Sequence, residues 1–154
     1  YYTLMFDAIN SHGGVVNQMI GDGLMALFGA PLPLNDCAGS AVAAALEMIE
    51  LIEQFNLERG AAQKPTIRIG IGIATGDVVA GYTGTQQRAT YTCIGETVNL
   101  AAHLEAHTKE IGRPILIDEN FQINSYPAIY LWNQPPDRVN TTPAWETFEI
   151  PVIP

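Results

Sequence analysis

The chain predicts an α+β domain, and three stretches carry that prediction. In Gly13–Phe28 two apolar runs, Val15–Ile20 and Leu24–Phe28, flank Gly21-Asp22-Gly23, a strong local signal for a tight hairpin. Between Asp36 and about Leu57 the apolar positions Val42, Ala45, Leu46, Ile49 and Ile52 form one helical stripe, widened by Ala41, Ala44, Met48, Leu51 and Phe55. In KPTIRIGIGIATGD the isoleucines at 67, 69, 71 and 73 alternate with Arg68, Gly70, Gly72 and Ala74, which predicts a strand with one greasy face and one smooth face. The 154 residues fit one domain, 1–154, large enough to bury a core.

In chain order, residues 1–12 place Leu4, Met5 and Ala8 along one side of a helix that Gly13-Gly14 ends. The hairpin follows. Pro31 and Pro33 then enforce a loop, and Asn35 or Asp36 can cap the long helix, whose Glu47, Glu50 and Glu53 stay outside. The smooth face of the isoleucine strand suits close approach by a helix. A short extended run, Val78–Ala80, leads to a Gly- and Thr-rich loop, Gly81–Gln87, then a strand over Thr90–Ile94 and a helix over Thr97–Glu110. On that helix Val98, Ala101, Ala102 and Leu104 pack inward, while Asn99, His103 and His107 recur every fourth residue on the opposite face. The remainder reads as RPILID, a short helix near 119–125, a strand over Ala128–Trp132, a Pro-rich loop to Pro143 and an edge strand in AWETFEI.

Composition and spacing exclude several functions. Seven Lys and Arg against sixteen Asp and Glu give a formal charge of −9, with no basic cluster, which argues against nucleic acid as a partner. No apolar run is long enough to span a membrane, so no membrane contact by this segment is expected. Cys37 and Cys93 lack CxxC spacing and read as free thiols in a reducing compartment, which makes the cytoplasm the expected location. The glycines of the isoleucine strand do not make a dinucleotide fingerprint, because Thr75 stands at the third glycine position and an extended run follows. No phosphate-binding GxxxxGK[ST] loop exists. The His103/His107 pair lacks the adjacent glutamate of a zinc protease helix, since Leu104 follows His103. Asp22, taken alone, supplies turn geometry, although two flanking glycines also leave its carboxylate open to a cation.

HGGVVNQMIGDGLMALFGAP, IGIATGDVVAGYTGT and YTCIGETVNLAAHLEAHTK, in this order and at these separations, resemble the catalytic domain of class III nucleotidyl cyclases in their bacterial adenylate cyclase form. The resemblance is dense over about residues 1–120 and loose beyond. It implies a ferredoxin-like sheet with helices packed on one face, here lacking the family's first strand, and a head-to-tail homodimer whose active sites lie between the two domains. The implied reaction converts ATP to 3′,5′-cyclic AMP and pyrophosphate, with two magnesium or manganese ions clamping the phosphates. Metal is also what lets so acidic a chain take an anionic nucleotide. Carried over by position, Asp22 resembles one of two metal-holding aspartates, and Asn99 the asparagine that orients the ribose. Gln18 and Thr92 match the two purine-reading positions.

Four departures stand out. The family's other metal aspartate lies on a strand ahead of the opening helix and has no counterpart in this sequence. Its transition-state arginine, four residues after the asparagine, is His103, which exchanges a fixed charged fork for an imidazole. Its phosphate-gripping lysine has no counterpart either, and Arg138 is the only cation nearby. Gln18 can donate and accept, so it reads adenine less decisively than lysine would. Two alternatives to a working cyclase therefore stay open: a degenerate cyclase-homology domain that binds nucleotide or a partner and regulates what is attached to it, and a structural dimerisation module.

Overall fold

The computed structural model describes residues 1–85, 88–119, 127–134 and 152–153. Helix α1 (Tyr2–Ser11) buries Met5, Ala8 and Ile9 and ends where Gly13 takes φ +77°. Strands β1 (Gly14–Ile20) and β2 (Gly23–Phe28) pair antiparallel around Gly21 and Asp22. Helix α2 (Cys37–Ala61) is capped by Asp36, whose Oδ1 accepts from the Gly39 amide at 2.8 Å. It runs a turn beyond the expected end, and its buried stripe centres on Ala41, Ala44, Ala45, Met48, Ile49 and Ile52. The Asn56 amide clamps this helix to the entry of the next strand, donating to the Ile67 carbonyl at 2.7 Å and accepting from its N–H at 2.8 Å.

Strand β3 (Arg68–Thr75) runs beside β6 (Ile115–Asp118), parallel, and β7 (Pro127–Gln134), antiparallel. The sheet order is β1-β2-β7-β3-β6-β8, with β8 at Val152–Ile153. Because β7 is antiparallel to both β2 and β3, those two run parallel, joined by α2 with one strand between them. That is a split βαβ unit, the repeating half of a ferredoxin-like sheet. β7, within which the expected strand at Ala128–Trp132 falls, occupies the position between β2 and β3 and makes the sheet continuous. The helix expected near 119–125, Arg138 and the AWETFEI strand lie outside the described residues, apart from exposed Glu119.

Two cores lie on the two faces of this sheet. Ile69, Ile71, Ile73, Leu24, Ala26 and Phe28 meet α1 and α2 on one face. Met25, Leu27, Leu116 and Ala74 meet α3 (Glu96–Ile111) and Cys93 on the other. Helices thus cover both faces rather than the single face expected, and the physical reason is in β3. Its smooth face lets the α3 backbone approach so closely that a Cβ built on Gly72 would collide with the Ala101 carbonyl and lie 2.5 Å from the Glu105 nitrogen. Gly72→Ala should therefore push α3 off the sheet and cost about 2 kcal/mol, read as a lower midpoint in urea; an unchanged midpoint would show that the helix shifts freely.

The stretch expected to be a Gly- and Thr-rich loop is largely strand. Strands β4 (Val79–Thr85) and β5 (Arg88–Ile94) form a separate ribbon in which Tyr82 faces Tyr91 and Thr83 faces Thr90. The two tyrosine rings meet edge to face at 5.3 Å. Cross-strand pairs of this kind outweigh the poor strand propensity of the intervening glycines. Cys37 and Cys93 are free and buried, and burial raises both thiols' pKa values. No helix among the described residues is long and apolar enough to cross a membrane.

Candidate active site

Asp22 sits at the tip of the β1–β2 hairpin. Ile20 pairs with Gly23, so the two loop residues are Gly21 and Asp22, and Gly21 takes the left-handed conformation at φ +62°. This is the Gly-X pattern of a type II′ turn, not the Asp-Gly pattern that the spelling first suggests. The Tyr2 hydroxyl donates to the Gly21 carbonyl at 3.2 Å and ties the tip to α1. The Tyr1 phenol is pushed up, first by burial and then by the charges of Tyr2 and Asp22, which places the aspartate's field over the start of α1. Asp22 itself is half-buried.

Gln18 is exposed on β1, four residues before Asp22, and Thr92 is half-buried on β5. One hydrogen bond brings these two strands together: Asn17 Nδ2 donates to the Tyr91 carbonyl at 3.0 Å. Gln18 and Thr92 are the next residues on either side of that bond. Thr92 pairs with Gly81, where an added Cβ would meet nothing within 4 Å, so the surface beside it is open.

Asn99 and His103 lie one turn apart on the exposed face of α3, with His107 below them. His107 Nδ1 lies 2.8 Å from Glu110 Oε2 and so is engaged with its own helix. The Thr97 hydroxyl donates to the Asp77 carbonyl at 2.9 Å, fastening the start of α3 to the turn after β3 and setting where Asn99 emerges. Among the described residues, no hydrogen bond or ion pair joins the side chains of Asp22, Gln18, Thr92, Asn99 and His103 to one another. The fold places Gln18 and Thr92 next to the Asn17–Tyr91 bond and Asn99 and His103 one turn apart on α3, and leaves Asp22 at the hairpin tip.

A hard cation suits the oxygen donors of a carboxylate, and an accessible Asp22 fits as one ligand of magnesium or manganese. Among the described residues no group of three or more His, Cys, Asp and Glu is arranged to hold a metal.

Two buried carboxyls escaped the sequence reading. Asp118 Oδ1 accepts from the Thr75 amide at 3.1 Å and stitches the end of β6 to the end of β3. Glu105 lies on the inner face of α3, 2% exposed, with its carboxyl over Gly70, where a built Cβ would stand 3.2 Å from Oε1. Burial pushes its pKa from 4.5 to about 7; Lys109, 3.9 Å away, opposes the shift and the charge of Asp22 adds to it. The signal was available: Ala101, Leu104, Glu105 and Thr108 share the three- and four-residue spacing of an inward stripe, so a charged residue at 105 was out of pattern.

Residues 1–118 match the family model for the adenylate and guanylate cyclase catalytic domain. The chain belongs to this family. It is 35% identical over 116 residues to adenylate cyclase 1 of Rhizobium meliloti (strain 1021), covering 75% of this chain and 17% of that protein. It is 40% identical over 124 residues to an adenylate cyclase of Anabaena cylindrica, covering 78% of this chain and 24% of that one. Among solved structures, the guanylyl cyclase Cya2 superposes with a TM-score of 0.66 at 37% identity, over 70% of this chain and 54% of that chain. A bacterial light-regulated adenylyl cyclase superposes at 0.61 with 27% identity, over 75% and 58%. The chain thus spans about a fifth of the length of these curated relatives.

Proposed function

We propose that this domain is the catalytic part of an adenylate cyclase that works as a homodimer in the cytoplasm. The observation that carries the proposal is the hydrogen bond from Asn17 to the Tyr91 carbonyl, which sets β1 against β5 next to Gln18 and Thr92 and beside an open surface, in a chain whose family cyclises purine nucleotides. The ribose 3′-oxygen forms the new bond to the α-phosphorus, the bond to pyrophosphate breaks, and the 3′-hydroxyl proton leaves to solvent. Magnesium or manganese, when bound, supplies Lewis-acid stabilisation of the phosphoryl charge. Asp22 contributes a carboxylate to that ion. Asn99 orients the ribose, His103 donates toward the charge that develops at the α-phosphate, and Gln18 and Thr92 read the purine edge.

The homodimer rests on exposed apolar surface. Val79 and Ile94 are direct cross-strand partners on the β4–β5 ribbon at 75% and 66% exposure, and Tyr82 on the same ribbon is 80% exposed. Apolar surface presented this way marks an interface. In the dimer, Asp22 of one copy serves the nucleotide that the other copy's Gln18, Thr92, Asn99 and His103 contact.

Adenine over guanine rests on relatives named adenylate cyclases, whereas Cya2 is named a guanylyl cyclase. The test is product formation by the full-length protein given ATP or GTP with magnesium or manganese. Cyclic AMP as the main product is expected; cyclic GMP as the main product would overturn the substrate assignment. A second reading, a degenerate domain that binds nucleotide without turning it over, is favoured by His103 standing where the family pattern has arginine. A metal-dependent thermal shift with ATP and no cyclic product would select it.

His103 is exposed on α3, so an arginine fits there without disturbing the core. His103→Arg should raise turnover by about a hundredfold, the scale of one well-placed charge-stabilising donor. Equal or lower turnover would mean that the site is built around the imidazole.

A further inference from the structure

We infer that Asn17 is a positioning residue for purine selection, an inference that rests on the purine-reading assignment of Gln18 and Thr92. Two observations carry it, and the first is a change of register. Val16 pairs with Ala26 and Gln18 pairs with Met25, so Asn17 is the extra residue of a β-bulge. Paired residues share a face of the sheet. Ala26 belongs to the core under α1 and α2, and Met25 to the core under α3 and Cys93. Without the bulge, Gln18 would stand opposite Leu24, a residue of the α1–α2 core, and would lie on the face of the sheet away from the β4–β5 ribbon. The extra residue turns Gln18 to the face that carries the β4–β5 ribbon.

The second observation is the asparagine's own bonding. Its Nδ2 holds the Tyr91 carbonyl at 3.0 Å, which fixes β5 against β1 next to Thr92. Its Oδ1 is buried without a hydrogen-bond partner among the described residues. A buried, unpaired amide oxygen is unfavourable, so an apolar residue of similar size would serve packing better. The amide is thus explained by what its N–H holds in place and not by core stability. Asn17 both aims Gln18 and sets its separation from Thr92.

The test measures Kd and kcat/KM for ATP and for GTP, each with magnesium, in the full-length protein and its variants. Asn17→Leu removes the orphan oxygen and the bond to the Tyr91 carbonyl together, so the two effects oppose and Tm should change little, while discrimination between the two nucleotides falls by about tenfold, mainly through Kd and KM, the scale of one lost hydrogen bond. Unchanged discrimination would overturn the inference. So would a fall in Tm that accompanies equal weakening for both nucleotides, since that is what a purely structural residue does. Should Asn17→Leu fail to fold, Asn17→Ser, too short to reach Tyr91, is read in the same way. Gln18→Ala and Thr92→Val separate the two levels of the argument. If they change discrimination and Asn17→Leu does not, only the positioning role falls. If they leave it untouched, or the protein binds neither triphosphate, the purine-reading assignment falls and takes the inference with it.

Discussion

Asp22→Asn should lower cyclase turnover by about a thousandfold, or about 4 kcal/mol of transition-state stabilisation, with Tm nearly unchanged. Asparagine matches aspartate in size and tolerates turns, and Gly21, not Asp22, takes the left-handed conformation, so the hairpin survives the change. The Tyr2 bond that anchors the tip goes to the Gly21 backbone and is also retained. On the proposed metal role, what the change removes is one negative charge for a metal ion, in a reaction whose barrier depends on neutralising phosphoryl charge. The metal-dependent thermal shift with ATP should weaken in parallel. Retention of more than about a tenth of the turnover would remove Asp22 from the metal site and return it to the role of a turn residue.

Glu105 should make the stability of the domain fall as pH rises from about 4.5 to about 7. The sign follows from burial. The folded chain holds the Glu105 proton more tightly than the unfolded chain does, so its contribution is fully present below the unfolded value of 4.5 and is lost as pH passes through about 7. At about 1.4 kcal/mol per tenfold change in proton affinity, the span amounts to about 3 kcal/mol, with Lys109 already counted as an opposing influence. Glu105→Gln, which resembles the protonated side chain at every pH, should match the wild type at pH 4.5 and exceed it by about 3 kcal/mol at pH 8 in urea unfolding without divalent metal. The difference between the two proteins cancels the other carboxyls. A difference that stays constant between the two pH values would show that Glu105 is ionised in the fold at no cost.

Local pattern already specified much of this domain. The Asp36 cap, the long alanine-rich stripe of α2 and the alternation of isoleucine and glycine in β3 each read directly as the element they form, because capping, helical period and strand period act over a few residues. The smoothness of β3 also told that a helix would lie close to it. Which helix would take that smooth face was not legible, since a smooth strand does not say which distant segment of the chain will cover it. Tertiary pairing alone made strands of Gly81–Thr85. It also decided that Glu105 points into the core, because a helix's sequence defines its faces but not which one meets the sheet.

At the site the division is sharper. Gln18, Asp22, Thr92, Asn99 and His103 could all be nominated from linear motifs, and residue type is a linear property. The bulge at Asn17 could not, because a one-residue slip in pairing leaves composition and order untouched while reversing which face every later side chain takes. The sequence by itself thus determined which chemical groups this cyclase domain carries. Only the tertiary structure decided that Gln18 takes the face of the β4–β5 ribbon and not that of the α1–α2 core, because that depends on how strands pair and how two strands distant in the chain lie against each other.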